Sequence, residues 1–317
     1  MKYRAIIREA WVLTQENKKL IWWFAFVPAL LSFLVSMVYL TYQAYALWSS
    51  PYIRPNAEES HLLMNIIKKI VLLLQENPSL GVFVVLLVAI VGLAYLMLPV
   101  FTQGALIQLV ARLRAGEPVS ITRGISYGFG RFLQLFEYHL FIKTFSFFGI
   151  FTEAAFAFRV FGLEPFKVFG WIFLLILIVG LFFSLLFTYS EYYIVIDGEG
   201  VFSSIIKSSG LVVRQWHHTL FMFLLMAVIL LRVILNLLVA LLVPALVLAP
   251  VFLFTSLALA KIGIFVGAIV GAVVLYFASY FLGVFHVFTS SVWTFTFLDL
   301  TKEESTAVNL HEAAARD

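Results

Sequence analysis

Uninterrupted apolar runs of bilayer length dominate the chain. They lie near 20 to 43, 80 to 103, 132 to 157, 167 to 190, 219 to 242 and 263 to 290. As a helix, about 20 apolar residues cross a hydrocarbon core about 30 Å thick. Strands of a membrane barrel would instead alternate polar and apolar residues over about ten positions. The pattern therefore predicts an all-α fold, a polytopic integral membrane helical bundle of about six transmembrane helices. Residues 1–302 form a single membrane domain and 303–317 a polar C-terminal tail. Between 219 and 298 the only charges are Arg232 and Lys261, and Pro244 and Pro250 interrupt the run. Residues 244–260 read either as a re-entrant turn or as an extra span. The turn is preferred, because an extra span would carry the C-terminus across the membrane. Residues 20–43, followed by Ala44-Tyr45-Ala46, share the outline of a signal peptide, but the run exceeds the roughly 7 to 15 residues of a cleavable segment.

Shorter amphipathic stretches precede the odd-numbered spans. Ile6, Ile7, Ala10 and Trp11 form an apolar stripe in the first. Ile121, Ile125, Phe129, Phe132, Leu133 and Phe136 do so in the second, and Val201, Phe202, Ile205, Ile206, Val212, Val213 and Trp216 in the third. Helical spacing of this kind predicts interfacial helices with the apolar side in lipid, each bending into a span. The even spans also end alike, at Leu113-Arg114-Ala115-Gly116-Glu117, Val195-Ile196-Asp197-Gly198-Glu199 and Leu298-Asp299-Leu300-Thr301-Lys302-Glu303. The expected unit is interfacial helix, span, span, used three times. A further stretch with Leu62, Leu63, Ile66, Ile67, Ile70, Leu73 and Leu74 on one side predicts a helix on the outer surface.

Composition strengthens this reading. Charged residues make up 12% of the chain and hydrophobic residues 63%, against roughly 25% charged in a soluble domain. Lys and Arg distribute unevenly. Thirteen fall on the side of the termini, among them Lys2, Arg4, Arg8, Lys18, Lys19, Arg112, Arg114, Arg123 and Arg131, and six on the other. The positive-inside rule then places both termini in the cytoplasm, in a cell inner membrane. The absence of cysteine excludes disulfides and thiol chemistry.

One segment carries a family likeness. Residues 196–216, Ile-Asp-Gly-Glu-Gly-Val-Phe-Ser-Ser-Ile-Ile-Lys-Ser-Ser-Gly-Leu-Val-Val-Arg-Gln-Trp, resemble a recurring stretch of bacterial six-span membrane proteins related to the membrane domain fused to glycerophosphodiester phosphodiesterases. In that group an acidic, glycine-containing turn leads into a Ser-rich interfacial helix, a Leu-Val-Arg step and an aromatic entry to span five. Gly200, Ser204, Lys207, Ser208, Leu211, Val213, Arg214 and Trp216 fit, and Ala10-Trp11-Val12-Leu13-Thr14 with Asn17-Lys18-Lys19-Leu20 and Trp22 resembles the group's opening. Ser209 and Gln215-Trp216 depart from it. The resemblance implies the fold and membrane placement. It supplies no catalytic residues, because the soluble phosphodiesterase domain has no counterpart in these residues.

Ionisable groups inside spans are costly and mark candidate sites. Lys143 and Arg232 lie at mid-depth, with Glu137 and Asn236 in reach along the same helices. Two readings follow: a basic intramembrane cavity for an anionic lipid head group, or snorkelling and an interhelical polar clasp. Gly263, Gly267 and Gly271 form a face for close helix packing, within the chain or between two copies. Glu191 and Asp299, at equivalent span ends, read as capping and interfacial groups. His61, His139, His217, His218, His286 and His311 have no metal-ligand spacing, and no nucleotide or nucleophile motif occurs. The expectation is a non-enzymatic, membrane-organising or accessory multi-pass protein without cofactor or metal, with membrane lipids as partners and no nucleic acid. The alternative is a small carrier or lipid-handling protein.

Overall fold

The computed structural model describes residues 3–48, 68–69, 71–72, 74–143, 163–235 and 260–314. The described chain is helical and contains no strand. Helix α1 covers Tyr3–Glu16. Helix α2 follows as Lys18–Leu20, a π-turn at Ile21–Phe26, and Val27–Trp48. Then come α3 (Pro78–Arg114), α4 (Ile121–Gly130) and α5 (Phe132–Lys143). Helix α6 (Leu163–Leu186) is carried on by Ser190–Tyr192 and a π-turn at Tyr193–Asp197. Helices α7 (Val201–Arg214), α8 (Trp216–Leu235) and α9 (Ala260–Ala314) complete the described chain.

Five of these segments are long and apolar enough to cross a bilayer: Lys18–Gln43, Pro78–Arg114, Gly170–Asp197, Trp216–Leu235 and Ile269–Glu303. Only 6% of the most apolar window of α3 is buried within the chain, so its Leu, Val and Phe side chains need hydrocarbon around them. The protein is a membrane-embedded all-α bundle. Helix α5 is the start of the expected third span, whose remainder lies outside the described residues, as do residues 236–259 and most of the expected outer-surface helix. Two sequence-based ends change. The second span does not stop near 103 but continues as helix to Arg114, and the sixth runs beyond 290 to Ala314. These extensions carry polar and charged residues, among them Gln108, Arg112, Arg114, Asp299, Lys302 and Glu303, so hydropathy alone cuts the spans short.

Helices stand at all three stretches expected to be interfacial, and each ends in the same bend. The hinge residues Asn17, Arg131 and Gln215 have φ/ψ of −107°/52°, −126°/14° and −112°/34°. Beyond each hinge the next helix begins on bonds back to it, as in Leu20 N to Asn17 O at 2.9 Å, Leu135 N to Arg131 O at 3.0 Å and Thr219 N to Gln215 O at 3.0 Å. Seven residues before the hinges stand Ala10, Gly124 and Ser208, all buried and all small. Small residues are needed there because the helix lies directly on the bundle. A Cβ on Gly124 would sit 2.6 Å from the Phe24 ring and 2.8 Å from Leu109. The expected apolar stripes therefore divide. Ile6, Ala10, Val201 and Val212 face the protein, while Trp11, Ile125, Phe129, Leu133, Phe202, Ile206 and Val213 face outward.

The packing closes in a ring. Helix α4 leans on α2 through Gly124 and Phe24. Helix α7 leans on α5 through Leu211 and Val212 against Leu135 and Tyr138. Helix α1 leans on α8, where Ile6 and Ala10 meet Met222 and Met226, and the Tyr3 hydroxyl bonds His218 Nδ1. Each interfacial helix thus touches the odd span of the preceding repeat, the first touching the last, while its broadest contact is with an even span: α4 with α3, α7 with α6 and α1 with α9. The even spans fill the centre with Ala105 to Val110, Tyr189 to Val195 and Val287 to Phe297.

Two of the three exits share a backbone device. Gly116 (φ 79°) and Gly198 (φ 74°) adopt the left-handed conformation that L side chains rarely take. The third exit has no glycine, and α9 continues unbroken. At the end of the bundle that carries these exits Arg114 joins three elements. Its guanidinium lies 2.8 Å from Asp299 and 3.3 Å from Glu9, donates to Phe295 O at 2.9 Å, and covers the Phe295 ring.

Candidate functional site

Of the residues singled out from sequence, the two that are described, Glu137 and Arg232, are not brought together. Glu137 is exposed on α5, and Arg232 is exposed on α8 beside an almost wholly apolar hollow formed with Ile7, Trp11, Phe281 and Phe285. These two do not pair with each other. The side chain of Lys143 and the whole of Asn236 lie outside the described residues. Of the small-residue face, Gly271 meets nothing within 4 Å, while the surroundings of Gly263 and Gly267 lie outside the description. Close packing within the chain occurs further along, where a Cβ on Gly283 would lie 3.3 to 3.4 Å from the backbone of Ala25 and Phe26.

A different polar cluster lies where the spans meet beyond the packed base of the bundle. Glu191 sits on Ser190–Tyr192, the short helical turn that follows the break in span four. Gln103 Nε2 donates to Glu191 Oε2 at 3.0 Å. His139 Nε2, from α5, stands 3.4 Å from Glu191 Oε1 and is buried without a hydrogen bond. Ser290 Oγ, from α9, donates to Gln103 Oε1 at 3.5 Å. The Glu191 side chain is 20% exposed, so the carboxylate is held in a partly dry setting. Asp299 belongs to the Arg114 junction instead, so the two equivalent carboxylates have separate environments.

The cluster opens into a cavity of about 470 Å³ bounded by Ser32, Tyr95, Pro99, His139, Glu191 and His286. A second hollow of about 420 Å³ shares Ser32, Pro99 and His286 and reaches Ser36, Thr102 and Thr289. Pro99 lies inside α3. It has no N–H to give the ladder and so loosens the helix at the cavity wall. Thr102 Oγ1 donates to Leu98 O and Pro99 O at 2.9 and 3.1 Å, satisfying carbonyls around that point. Thr289 Oγ1 is buried without a hydrogen bond.

The break that positions Glu191 is repaired from outside its own helix. Ser208 Oγ, on α7, accepts from Tyr189 N at 3.0 Å and donates to Leu186 O at 2.7 Å. Gln108 Nε2, on α3, donates to Val195 O in the π-turn. Interrupted backbone inside a membrane protein requires such replacement partners. Below the break, Lys207 bonds Glu199 Oε1, and Ser203 Oγ donates to Glu199 Oε2 at 2.7 Å. These two bonds hold the Glu199 carboxyl below its ordinary range.

His139 and Glu191 stand out in the sequence only separately, because they are 52 positions apart and no spacing signals their meeting. Gln103, His286 and Ser290 carried no signal of their own. Together the fold and the cluster define a polytopic α-helical membrane protein with a polar cavity among its spans. In comparisons with family models, curated proteins and solved structures the chain finds no match.

Proposed function

We propose that the protein is a non-enzymatic, membrane-organising component of a bacterial inner membrane, acting through its collar of interfacial helices. One observation carries this reading. The helices α1, α4 and α7 are attached around one end of the bundle, and each presents an apolar stripe outward. On α7, Phe202 is 70% and Ile206 71% exposed, which in water would be a liability and in the acyl boundary is an anchor. Basic residues flank these stripes, with Arg4 and Arg8 on α1, Arg123 on α4, and Lys207 and Arg214 on α7. They suit anionic head groups. With both termini cytoplasmic, as the Lys and Arg bias favours, the collar occupies the inner leaflet. The likeness to bacterial six-span membrane proteins supports the same layout.

The test is reconstitution into vesicles of phosphatidylethanolamine and phosphatidylglycerol carrying a packing-sensitive dye. The protein is expected to change lipid order in the leaflet that holds the collar. The double variant F202S/I206S is expected to lose most of that change while remaining inserted. An unaltered dye response in the folded variant would overturn the proposal.

A further inference from the structure

The Glu191 cavity is separate from the outward face of the collar, and its chemistry is specific. Its described charged or titratable lining groups are Glu191, His139, His286 and Tyr95, and no Lys or Arg is among them. With both imidazoles uncharged, the only formal charge is the Glu191 carboxylate. An ionised carboxylate has about four acceptor sites. Gln103 occupies one with a hydrogen bond, and His139 stands near the other oxygen without making one. Ser32 and Tyr95 add hydroxyl acceptors around the same space. The cluster is therefore rich in acceptors, and among its described lining residues there is no Lys or Arg.

Position adds a second constraint. Gln103 lies about 16 Å along α3 from Arg114 at 1.5 Å per residue, well inside the charged inner boundary. Leu96 and Leu140 line the cavity and are themselves exposed. The cavity thus communicates with hydrocarbon between α3 and α5. An occupant entering by that route is lipid-soluble over most of its length and presents a polar head to Glu191. The volume of about 470 Å³ is within the roughly 300 to 1,000 Å³ of small-molecule sites.

The geometry points to a binding site for the primary ammonium head of a membrane amphiphile, with Glu191 as counter-ion. A primary ammonium brings three N–H donors and one positive charge, which match the acceptors and the uncompensated carboxylate. A quaternary head brings no donor and is recognised through aromatic cages, and an anionic head meets the carboxylate directly. The ammonium is borne either by a single-chain amine or by an ethanolamine lipid.

The experiment uses the full chain in maltoside micelles at pH 8, above the ordinary titration range of imidazole. Binding of dodecylamine, dodecanol and dodecyl phosphate is measured by shift of the thermal unfolding midpoint and by native mass spectrometry. Wild type is expected to bind dodecylamine saturably and at least tenfold more tightly than the other two. E191Q is expected to lose that preference while retaining dodecanol binding. L140W, which obstructs the mouth without touching the polar groups, is expected to weaken dodecylamine binding. Exchange of phosphatidylethanolamine for phosphatidylcholine in nanodiscs separates the two sources: retention of the ethanolamine lipid alone supports a lipid head, and binding of the free amine alone supports a single-chain amine. Equal binding of amine and alcohol by wild type, or a preference that survives L140W, would overturn the assignment even if E191Q does not fold.

Discussion

At the scale of single residues, Ser208 has the most demanding position. Its hydroxyl serves both sides of the gap in span four, accepting from Tyr189 N and donating to Leu186 O, with no solvent exposure. Replacing it by Ala leaves two buried backbone groups without partners, each costing about 1 to 3 kcal/mol. Ser208→Ala is therefore expected to lower stability by about 2 to 6 kcal/mol in mixed-micelle unfolding. Ser209→Ala, at a less buried neighbouring position, is expected to change it by less than about 0.5 kcal/mol. Equal effects would show that the hydroxyl does not bridge the gap. The sequence marks Ser208 only through the Ser-rich character of its helix. It marks the cavity still less, because Gln103, His139, Glu191 and His286 come from four separate segments and share no spacing. Charge within an apolar run drew attention to Lys143 and Arg232, whereas Glu191 lies close enough to a span end to pass for an interfacial group.

At the scale of elements, the stripes and the glycine exits were legible because helical periodicity survives in a single sequence. The hinges were not. Asn17, Arg131 and Gln215 are chemically unlike residues in similar backbone conformations, imposed by the packing of the helices on either side. Nor does periodicity tell which part of a wide apolar stripe meets protein and which meets lipid. Helix α7 also has an electrostatic fastening at its start, where Glu199 bonds Lys207 and Ser203. These bonds lower the Glu199 pKa from its ordinary 4.5. A depressed carboxylate contributes stability that is present above the unfolded value and lost as pH falls through the folded one. Amide exchange in the first turn of α7 is expected to accelerate below about pH 4.5. In Glu199→Gln the same amides should exchange faster at neutral pH and show no such acid step. An unchanged acid step in the variant would assign it to another group.

For the whole molecule, the consequence of three similar units is closure. Two interfacial helices rest on the odd span immediately preceding them, contacts that nearness in sequence favours. The third contact, α1 on α8, joins the first repeat to the last across more than 200 residues and has no local cause. Ile6 and Ala10 of the first helix and Met222 and Met226 of the last odd span are buried in one cluster with Val110, Phe288, Val292 and Phe295 of the even spans, so the centre of the bundle brings the two ends of the chain together. This arrangement is directly testable, since the chain has no cysteine and an introduced pair is the sole reactive thiol pair. The double variant Tyr3→Cys/His218→Cys is expected to cross-link within one chain when membranes are treated with a short bismaleimide. Tyr3→Cys paired with Ser126→Cys on α4, a helix that rests on α2 instead, is expected to cross-link far less. The product should run faster than the unlinked chain on denaturing gels, as a polypeptide closed into a large loop does. Predominant dimers from the first pair, or equal yields from both, would mean that α1 does not dock on α8 of its own chain and that the ring is open.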